Sequence, residues 1–234
     1  MSGSIRMRAA EVEWLLRGAL VAASKDDVTP VLCAVEWTIE DGRATVTATD
    51  RYRVHQLYAK HLRDDDADAP AEGRFLMSRA QATLLLKSIP RRNVRALVDL
   101  TWIDAEPLPD RHTGTVARRY RGSIRFDVAS DETADAEHLA HDAAQVRGNF
   151  PPVARLFGET AEEGELMPVL RLQPEFLADT RWLRTGRGSL RFTVPRIPEG
   201  KPKLAPVLVV NTEGTARALI QPFADLHGEK GYGA

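Results

Sequence analysis

The sequence predicts an α+β protein in which helices cover one face of antiparallel sheets. Two observations support this prediction. The chain alternates between segments with the two-residue period of strands and segments with the helical spacing of apolar residues. In addition, one unit recurs three times: a strand or the chain start, a helix, and then two or three strands. Repeats of this kind place all the helices on the same side of the sheet.

The clearest element is a β-hairpin in residues 31–49. Every second residue from Val31 to Ile39 is apolar, which predicts a strand with one buried face. Asp41-Gly42 follows, and this pair favours a tight hairpin turn because both central positions need φ above zero. Apolar and polar residues then alternate to Thr49, and a third strand is predicted over residues 51–60.

Apolar residues at helical spacing predict three helices. The first is predicted over residues 6–23, where the apolar positions repeat on one face. The second begins at Ser78, which forms a capping-box pattern with Gln81, and Pro90 ends it. The third begins at Pro174, since proline is favoured at the first position of a helix.

Seven further strands and two less regular segments complete the prediction. Residues 149–158 are predicted to form an irregular linker, because Pro151 and Pro152 prevent a helix there. Residues 131–144 are acidic and rich in alanine, a pattern that fits both a short helix and a mobile loop. The further strands are predicted over residues 73–77, 94–103, 116–128, 166–172, 190–194, 206–210 and 215–220, and residues 116–128 fit a hairpin as well as a single strand.

The repeats also predict the domain organisation. A first domain of two strand-helix-strand units is predicted over residues 1–157, and a partial domain of one unit over residues 158–223. Residues 224–234 are rich in glycine and predict a flexible C-terminal tail. The single third unit leaves a sheet edge open, which predicts contact with a neighbouring copy of the chain.

The composition is that of an ordinary soluble globular protein. The 234 residues have a formal net charge of −1 and a charged fraction of 28%. No apolar run approaches the roughly 20 residues that span a bilayer, and the first residues lack the apolar region of a secretory signal, so we expect no membrane association. The lone Cys33 excludes an intrachain disulfide framework; it fits a reducing, cytoplasmic location, and a buried structural thiol explains it equally well.

The sequence contains no recognisable catalytic or metal-binding pattern. The histidines stand in no catalytic spacing, and Cys33 has no identifiable partner that would make it a nucleophile. Asp50 is predicted to be a turn residue that accepts hydrogen bonds from neighbouring backbone amides. The run of three aspartates that begins at Asp64 predicts a solvated loop, because adjacent carboxylates do not converge on one ion unaided. We therefore expect no enzymatic activity, no metal and no cofactor.

The predicted helices share basic polar faces, whereas the acidic residues are concentrated in loops. The second helix has no acidic residue between Ser78 and Arg92. Basic faces on one side of a sheet predict a surface for a polyanion, held through phosphate contacts without base readout. The residues of this predicted surface are Arg6, Arg8, Arg17, Arg79, Lys87, Arg91, Arg92, Arg181, Arg184 and Arg187.

Several segments resemble the bacterial DNA polymerase III beta subunit, the sliding clamp. TATDRYRV at residues 47–54 is similar to that family's A-T-D-x-[HY]-R-[LV] segment, which also follows a hairpin with an acidic-Gly turn. VRGNFPPVARLF at residues 146–157 resembles its D-G-x-F-P-D-Y-x-R-[VL] interdomain connector. Residues 75–89 and 170–183 look like its strand-helix units, and residues 206–209 and 218–223 like its closing strands. In order and spacing these matches cover most of the chain.

The resemblance implies the DNA-clamp fold and a processivity factor, a ring that encircles double-stranded DNA without sequence specificity and has no catalytic residues. It also implies a pocket for peptides of the DNA polymerase and of the clamp loader. Arg51 replaces a glycine that is usual in the family, and Gln221 and Phe223 stand where methionines are common, which implies a different peptide preference. The implied pocket residues are Thr49, Arg51, Tyr52, Arg53, Val54, Ile220, Gln221, Pro222 and Phe223.

The chain is shorter than the bacterial members, which have three domains of two units each. Chains of three units predict a homo-oligomeric ring, with a tetramer preferred over a trimer or a dimer. A shortened clamp would suit a bacteriophage, acting in the cytoplasm of an infected bacterial cell. The alternative is a clamp-derived peptide-binding module that does not close a ring.

Overall fold

The computed structural model describes residues 2–62, 72–90, 95–103, 122–130, 138–146, 148–157, 165–166, 171–193, 196–197 and 206–222. The predicted site residues Arg91, Arg92 and Phe223 lie outside these ranges, as do the aspartate run from Asp64 and the predicted tail. Among the described residues, no helix is both long enough and apolar enough to cross a membrane.

Three strand-helix-strand units follow one another along the chain, as predicted. The first contains β1 (Ser2–Arg8), α1 (Ala9–Leu20), β2 (Ala34–Glu40), β3 (Arg43–Thr49) and β4 (Arg53–Lys60). The second contains β5 (Gly73–Ser78), α2 (Arg79–Ser88), β6 (Leu97–Ile103), β7 (Ser123–Ala129) and β8 (His138–Ala144). The third contains β9 (Glu165–Leu166), α3 (Pro174–Asp179), β10 (Leu190–Thr193), β11 (Arg196–Ile197), β12 (Val207–Asn211) and β13 (Ala216–Ile220).

The strands form two large antiparallel sheets, and each sheet contains strands from more than one of the three units. One sheet has the order β1-β6-β7-β8, the other has the order β10-β12-β13-β4-β3-β2-β5, and β9 pairs with β11. The seven-stranded sheet therefore joins the first and third units, with Ala218 of β13 opposite His55 of β4. This sheet contains strands from both sides of residue 157, the predicted domain boundary.

The core lies around α1, which contacts strands of both large sheets, α2, and the 3₁₀ helix Thr180–Leu183 that continues from α3. Val12, Leu15 and Leu16 of α1 are fully buried. Phe176 and Leu183 of the third unit belong to the same cluster as these residues. Burial of one apolar face of each element on a shared core is what holds helices on a sheet in this fold class. The predicted α+β arrangement is confirmed.

Several local predictions are confirmed by backbone geometry. Asp41 and Gly42 have φ values of 50° and 72°, as the hairpin turn requires. Ser78 and Gln81 form both hydrogen bonds of the capping box. Pro174 occupies the first turn of α3.

The prediction that the first helix begins at residue 6 is wrong. Residues 2–8 form β1, which pairs along its whole length with β6, and α1 begins only at Ala9. Ile5 and Met7 are buried and alternate with exposed residues, so this segment has the period of a strand. The strand is formed because β6, far along the chain, offers an unpaired edge that local spacing does not reveal.

Two other segments differ from the sequence interpretation. Val31 and Cys33 lie in a 3₁₀ helix, Pro30–Cys33, and the first hairpin strand begins after them. Within the acidic segment 131–144, the described part is the exposed strand β8, neither a helix nor a loop. It is a strand because it pairs with β7 at the edge of the four-stranded sheet, so tertiary pairing overrides weak local propensity.

Candidate nucleic-acid interface and peptide site

Six of the predicted basic residues are exposed on or beside the helices. Arg8 precedes α1, Arg17 lies on it, and Lys87 occupies the last turn of α2; all three are exposed. Arg181 lies in the 3₁₀ helix after α3. Arg184 and Arg187 follow it, and these three arginines are exposed as well. Arg17 is partly neutralised, since its Nε donates to Glu13 Oε1 at 2.8 Å, one helical turn earlier.

Two predicted members of the basic surface have other roles. Arg6 lies on β1, not on a helix, and its guanidinium pairs with Asp99 of the adjacent strand at 2.7 Å. Arg79 is half-buried and donates through Nη2 to the carbonyls of Leu20 and Ala23, at 3.0 and 2.6 Å. Leu20 is the last residue of α1 and Ala23 lies just after it, so Arg79 binds the C-terminal end of that helix.

A cleft of about 440 Å³ opens between α1 and the residues after α3. Trp14 Nε1 donates to the carbonyl of Arg184 at 3.2 Å and so joins the two walls. Arg184 Nε in turn donates to the carbonyl of Gly188 at 2.8 Å, which fixes the loop. The cleft is lined by Ala10, Glu13, Trp14, Arg17, Arg181, Trp182, Arg184 and Gly186.

Trp182 brings aromatic surface to the arginine-rich cleft. The guanidinium carbons of Arg17 and Arg181 lie 5.8 and 5.2 Å from the centre of its ring. Such cation–π contacts hold guanidinium groups beside an indole at modest energy. Sequence reasoning identified the arginines but missed both tryptophans. The available signal was the position of Trp182 between Arg181 and Arg184, and of Trp14 one helical turn before Arg17.

The structure brings the two predicted halves of the peptide site together. Strands β4 and β13 pair with Val54 opposite Leu219 and Arg53 opposite Ile220. Beyond the strand ends, the backbone N–H of Gln221 donates to the carbonyl of Tyr52 at 2.9 Å. Thr49, Val54, Ile220 and Pro222 are buried, whereas Arg51, Tyr52 and Gln221 are exposed, Tyr52 by 61%.

The turn before β4 is held by Asp50. Its Oδ1 accepts the backbone N–H groups of Tyr52 and Arg53, both at 3.1 Å, which confirms its predicted role as a turn residue. Arg51 has φ of 79°, a left-handed conformation that favours glycine. The family's usual glycine at this position therefore has a conformational reason, and the present chain instead places an arginine there, hydrogen-bonded to Thr29 at 2.8 Å.

Arg53 does not stand on the rim of the predicted pocket. Its side chain is 9% exposed and is paired with Asp50 at 3.0 Å and Asp179 at 2.7 Å. It also donates to the carbonyl of Val21 and lies 4.2 Å over the ring of Phe176. Asp50 lies in the turn before β4, Val21 follows α1, and Asp179 and Phe176 lie in α3, so Arg53 connects the first and third units beneath the turn.

An apolar cluster lies beside the predicted peptide site. Phe157 packs with Val54 and Leu219, with Val153 and Leu156 at its margin. Phe157 and its neighbours belong to the 3₁₀ helix Val153–Phe157, within the segment predicted to be an irregular linker. The guanidinium of Arg217 lies 4.1 Å over the Phe157 ring and donates to Gln56 Oε1 at 2.9 and 2.6 Å. Phe157, Leu219 and Arg217 are neighbours of the predicted site that the sequence patterns did not indicate.

Beneath the site lies His55, which is completely buried on β4. Its Nδ1 is 2.7 Å from the carbonyl of Gly18, an acceptor, so Nδ1 carries the proton. Its Nε2 has no hydrogen-bond partner among the described residues. Burial lowers the pKa of His55 from 6.5 to about 4, and its hydrogen bond to Gly18 only partly opposes this. At neutral pH it is an uncharged core residue.

Among the residues that the structure describes, no three His, Cys, Asp or Glu side chains are grouped so that they could hold a metal ion.

Comparison with proteins of known structure shows the fold. The chain is similar to a DNA polymerase III beta subunit from Eubacterium rectale, with a TM-score of 0.62, 12% identity, and coverage of 94% of this chain and 65% of that one. It is also similar to a DNA polymerase sliding clamp from Pseudomonas aeruginosa, with a TM-score of 0.61, 14% identity, and coverage of 94% and 66%. The chain thus spans about two thirds of the length of these solved clamps.

Sequence comparison points in the same direction over a shorter stretch. A segment of 69 residues is 42% identical to the beta sliding clamp of Micrococcus luteus, covering 30% of this chain and 21% of that protein. No protein-family model matches the chain. The resemblance found in the motifs is confirmed by the fold that these motifs adopt. The chain has the fold of the DNA sliding clamps.

Proposed function

We propose that the chain is a DNA sliding clamp, a processivity factor that forms an oligomeric ring around double-stranded DNA and tethers the replicative polymerase. The observation that carries this proposal is the arrangement of its units. Support comes from three units with the strand-helix-strand order of the clamp fold, from exposed basic residues on or beside their helices, and from the pairing of β4 with β13, which carry the two halves of the predicted peptide site. In this proposal the protein has no catalytic residues and acts by enclosing its substrate.

Contact with DNA would be electrostatic. Arg8, Arg17, Lys87 and the arginines after α3 are exposed on or beside the helices. Exposed guanidinium and ammonium groups attract phosphates over about 8 Å at physiological ionic strength and read no base sequence. The formal net charge of −1 does not exclude this contact, because the local field depends on how the charges are distributed over the surface.

Ring closure would use two open strand edges. Among the described strands, β8 pairs only with β7 and β10 pairs only with β12. Leu139 on β8 and Phe192 on β10 are each 46% exposed. Two different free edges on one chain favour head-to-tail association, which closes into a ring when the rotation allows it. A homotetramer is the preferred assembly, ahead of a trimer or a dimer.

Partner peptides would bind beside the turn of Tyr52. Tyr52 and Gln221 are exposed next to the apolar cluster of Val54, Phe157 and Leu219. An aromatic side chain beside a small apolar surface suits a short peptide with Leu or Phe anchors, and such anchors carry most of the affinity of a peptide site. The partners would be peptides of the DNA polymerase and of the clamp loader.

The first experiment is the solution mass by light scattering behind a sizing column, over two decades of protein concentration. A tetramer or trimer at every concentration supports the ring, and retention on circular but not on linear duplex DNA then tests enclosure. Phe192→Glu should dissociate the assembly, whereas Val28→Glu, at a position that is 81% exposed and away from the strand edges, should not. A monomer at all concentrations contradicts the ring.

A clamp-derived peptide-binding module is the second candidate. It is favoured by one observation, that the predicted peptide site is formed by β4 and β13 of the same chain and needs no second copy. Three results together would establish this candidate in place of the ring. The protein would be a monomer, it would not be retained on circular DNA, and it would bind polymerase-derived peptides with an affinity that Tyr52→Ala abolishes.

A further inference from the structure

The cleft between α1 and the residues after α3 contains two tryptophans, which the binding of duplex DNA does not require. Phosphates of a double helix require cations, and those of the cleft are Arg17, Arg181 and Arg184. The bases of a duplex are stacked and paired inside it and offer only their edges to the grooves. The two indoles of the cleft, Trp14 and Trp182, therefore cannot stack on the bases of an intact duplex.

Unpaired bases are a different ligand. Proteins that hold single strands combine a positive groove with aromatic side chains on which the bases stack, at about 1–3 kcal/mol per base. Trp14 and Trp182 are only partly buried and both line the cleft. A volume of about 440 Å³ lies within the roughly 300–1,000 Å³ of small-molecule sites, so one nucleotide has room to enter.

The charges of the cleft fit one short stretch of phosphate backbone. Glu13 pairs with Arg17, so these two side chains nearly cancel. Arg181 and Arg184 have no carboxylate within salt-bridge distance among the described residues. Arg181 also lies beside the Trp182 ring, at 5.2 Å. A cation next to an aromatic face is the arrangement that receives a phosphate and its base together.

We propose that this cleft binds single-stranded DNA, with an unpaired base stacked on the Trp14–Trp182 surface and the adjacent phosphates on Arg181 and Arg184. The inference rests on the proposed function only in that it places DNA on the helix side of the chain. On a clamp, it would let the protein hold a stretch of template that is not yet copied, next to the duplex that it encloses.

Tryptophan fluorescence can test this directly because of where the four tryptophans lie. Trp37 and Trp102 are fully buried in the core, so a ligand that quenches emission by contact acts on Trp14 or Trp182. The probes are a short oligothymidylate, an abasic oligomer of the same length, and a duplex. We expect the oligothymidylate to quench emission and to bind about 5- to 150-fold more tightly than the abasic oligomer, which has the same phosphates but no bases.

The variants separate stacking from charge. Trp182→Leu should lower affinity for oligothymidylate to that of the abasic oligomer, and Trp182→Phe, which keeps an aromatic face, should retain most of it. Arg184→Ala should lower the affinity for both the oligothymidylate and the abasic oligomer. The matched control is Arg187→Ala, which removes an exposed arginine from the same loop but outside the cleft lining, and should have a smaller effect.

Equal affinity for oligothymidylate and the abasic oligomer would overturn the proposal, and so would unchanged binding in Trp182→Leu. Retention of the same variants on circular duplex DNA keeps the two proposals apart. A protein that is retained on circular duplex DNA but binds oligothymidylate and the abasic oligomer equally is a clamp without this cleft function. A protein that stacks bases but is never retained has the cleft function without the ring.

Discussion

The buried histidine predicts that the protein loses stability in mild acid. His55 is completely buried, and its one hydrogen bond, to the carbonyl of Gly18, requires a proton on Nδ1. Protonation would therefore place a charge on Nε2, which has no partner among the described residues. An unpaired buried charge is strongly disfavoured, and the group stays neutral instead.

The size of the effect follows from the two pKa values. Burial lowers the pKa of His55 to about 4 in the folded protein, against an ordinary value of 6.5 in the unfolded chain. Between these values the unfolded state binds more protons, so acid favours unfolding. The free energy of unfolding should fall by about 2 kcal/mol between roughly pH 7 and pH 5, and by about 3 kcal/mol once the pH reaches roughly 4.

Titration of Glu36 changes the stability in the opposite direction. Burial raises the pKa of Glu36, and its contact with Arg74 opposes this only in part. The folded state therefore holds the Glu36 proton more readily than the unfolded state, and acid stabilises the fold through this residue. A net loss of stability in mild acid therefore cannot come from Glu36.

The assay is urea unfolding followed by circular dichroism at a series of pH values between neutrality and pH 4. The comparison variant is His55→Asn, whose side-chain N–H can replace the Nδ1 donor but does not titrate. The wild-type protein should lose about 2 kcal/mol more than this variant between roughly pH 7 and pH 5. Parallel pH profiles for the two proteins would refute the reasoning, because they would mean that His55 titrates equally in the folded and unfolded chains.

Three further predictions concern the packing around the site. Asp179→Asn should lower the free energy of unfolding by about 2 kcal/mol in urea titrations, since Arg53 is buried and loses one of its charged partners. Gly73→Ala should cost about 1–3 kcal/mol in the same assay, because an added Cβ would lie 2.3 Å from Nε1 of Trp102 in the packed core. Arg51→Gly should be more stable than Arg51→Ala by about 1 kcal/mol, since φ is 79° at this position.

Matched variants control for the first two of these changes. Asp142→Asn removes the partner of Arg125 in a pair whose side chains are 53% and 69% exposed, and should change stability by less than about 0.5 kcal/mol. Gly122→Ala would meet only side-chain atoms of Gln145, which can move aside, so its cost should be smaller than that of Gly73→Ala. Equal effects within either pair would contradict the burial argument.

The parts of the site that sequence could identify are those fixed by local rules. The turn at Asp50, the basic character of the segments after α3, and the apolar strand ends at Val54 and Ile220 can all be read from spacing and residue type. The roles of Arg6, Arg53 and Arg79 could not, because an arginine in a sequence looks the same whether it meets solvent or a buried carboxylate. The role of each of these arginines is decided by the residue from another element with which it pairs.

The cleft shows the same limit. Trp14 and the carbonyl of Arg184 are hydrogen-bonded across a separation of 170 residues. No local pattern relates two such positions, and each tryptophan alone is a residue that usually belongs to a core.

By itself, the sequence determined the α+β class, three repeated units, the hairpin turn at Asp41-Gly42 and the helix starts at Ser78 and Pro174. These depend on backbone angles, caps and periodicity, which act within a few residues. Tertiary structure alone decided that residues 2–8 form a strand, that β13 joins β4, and that Arg53 is buried. The physical reason is that strand pairing and burial depend on which distant segment supplies the partner, and that choice is made only when the whole core is assembled.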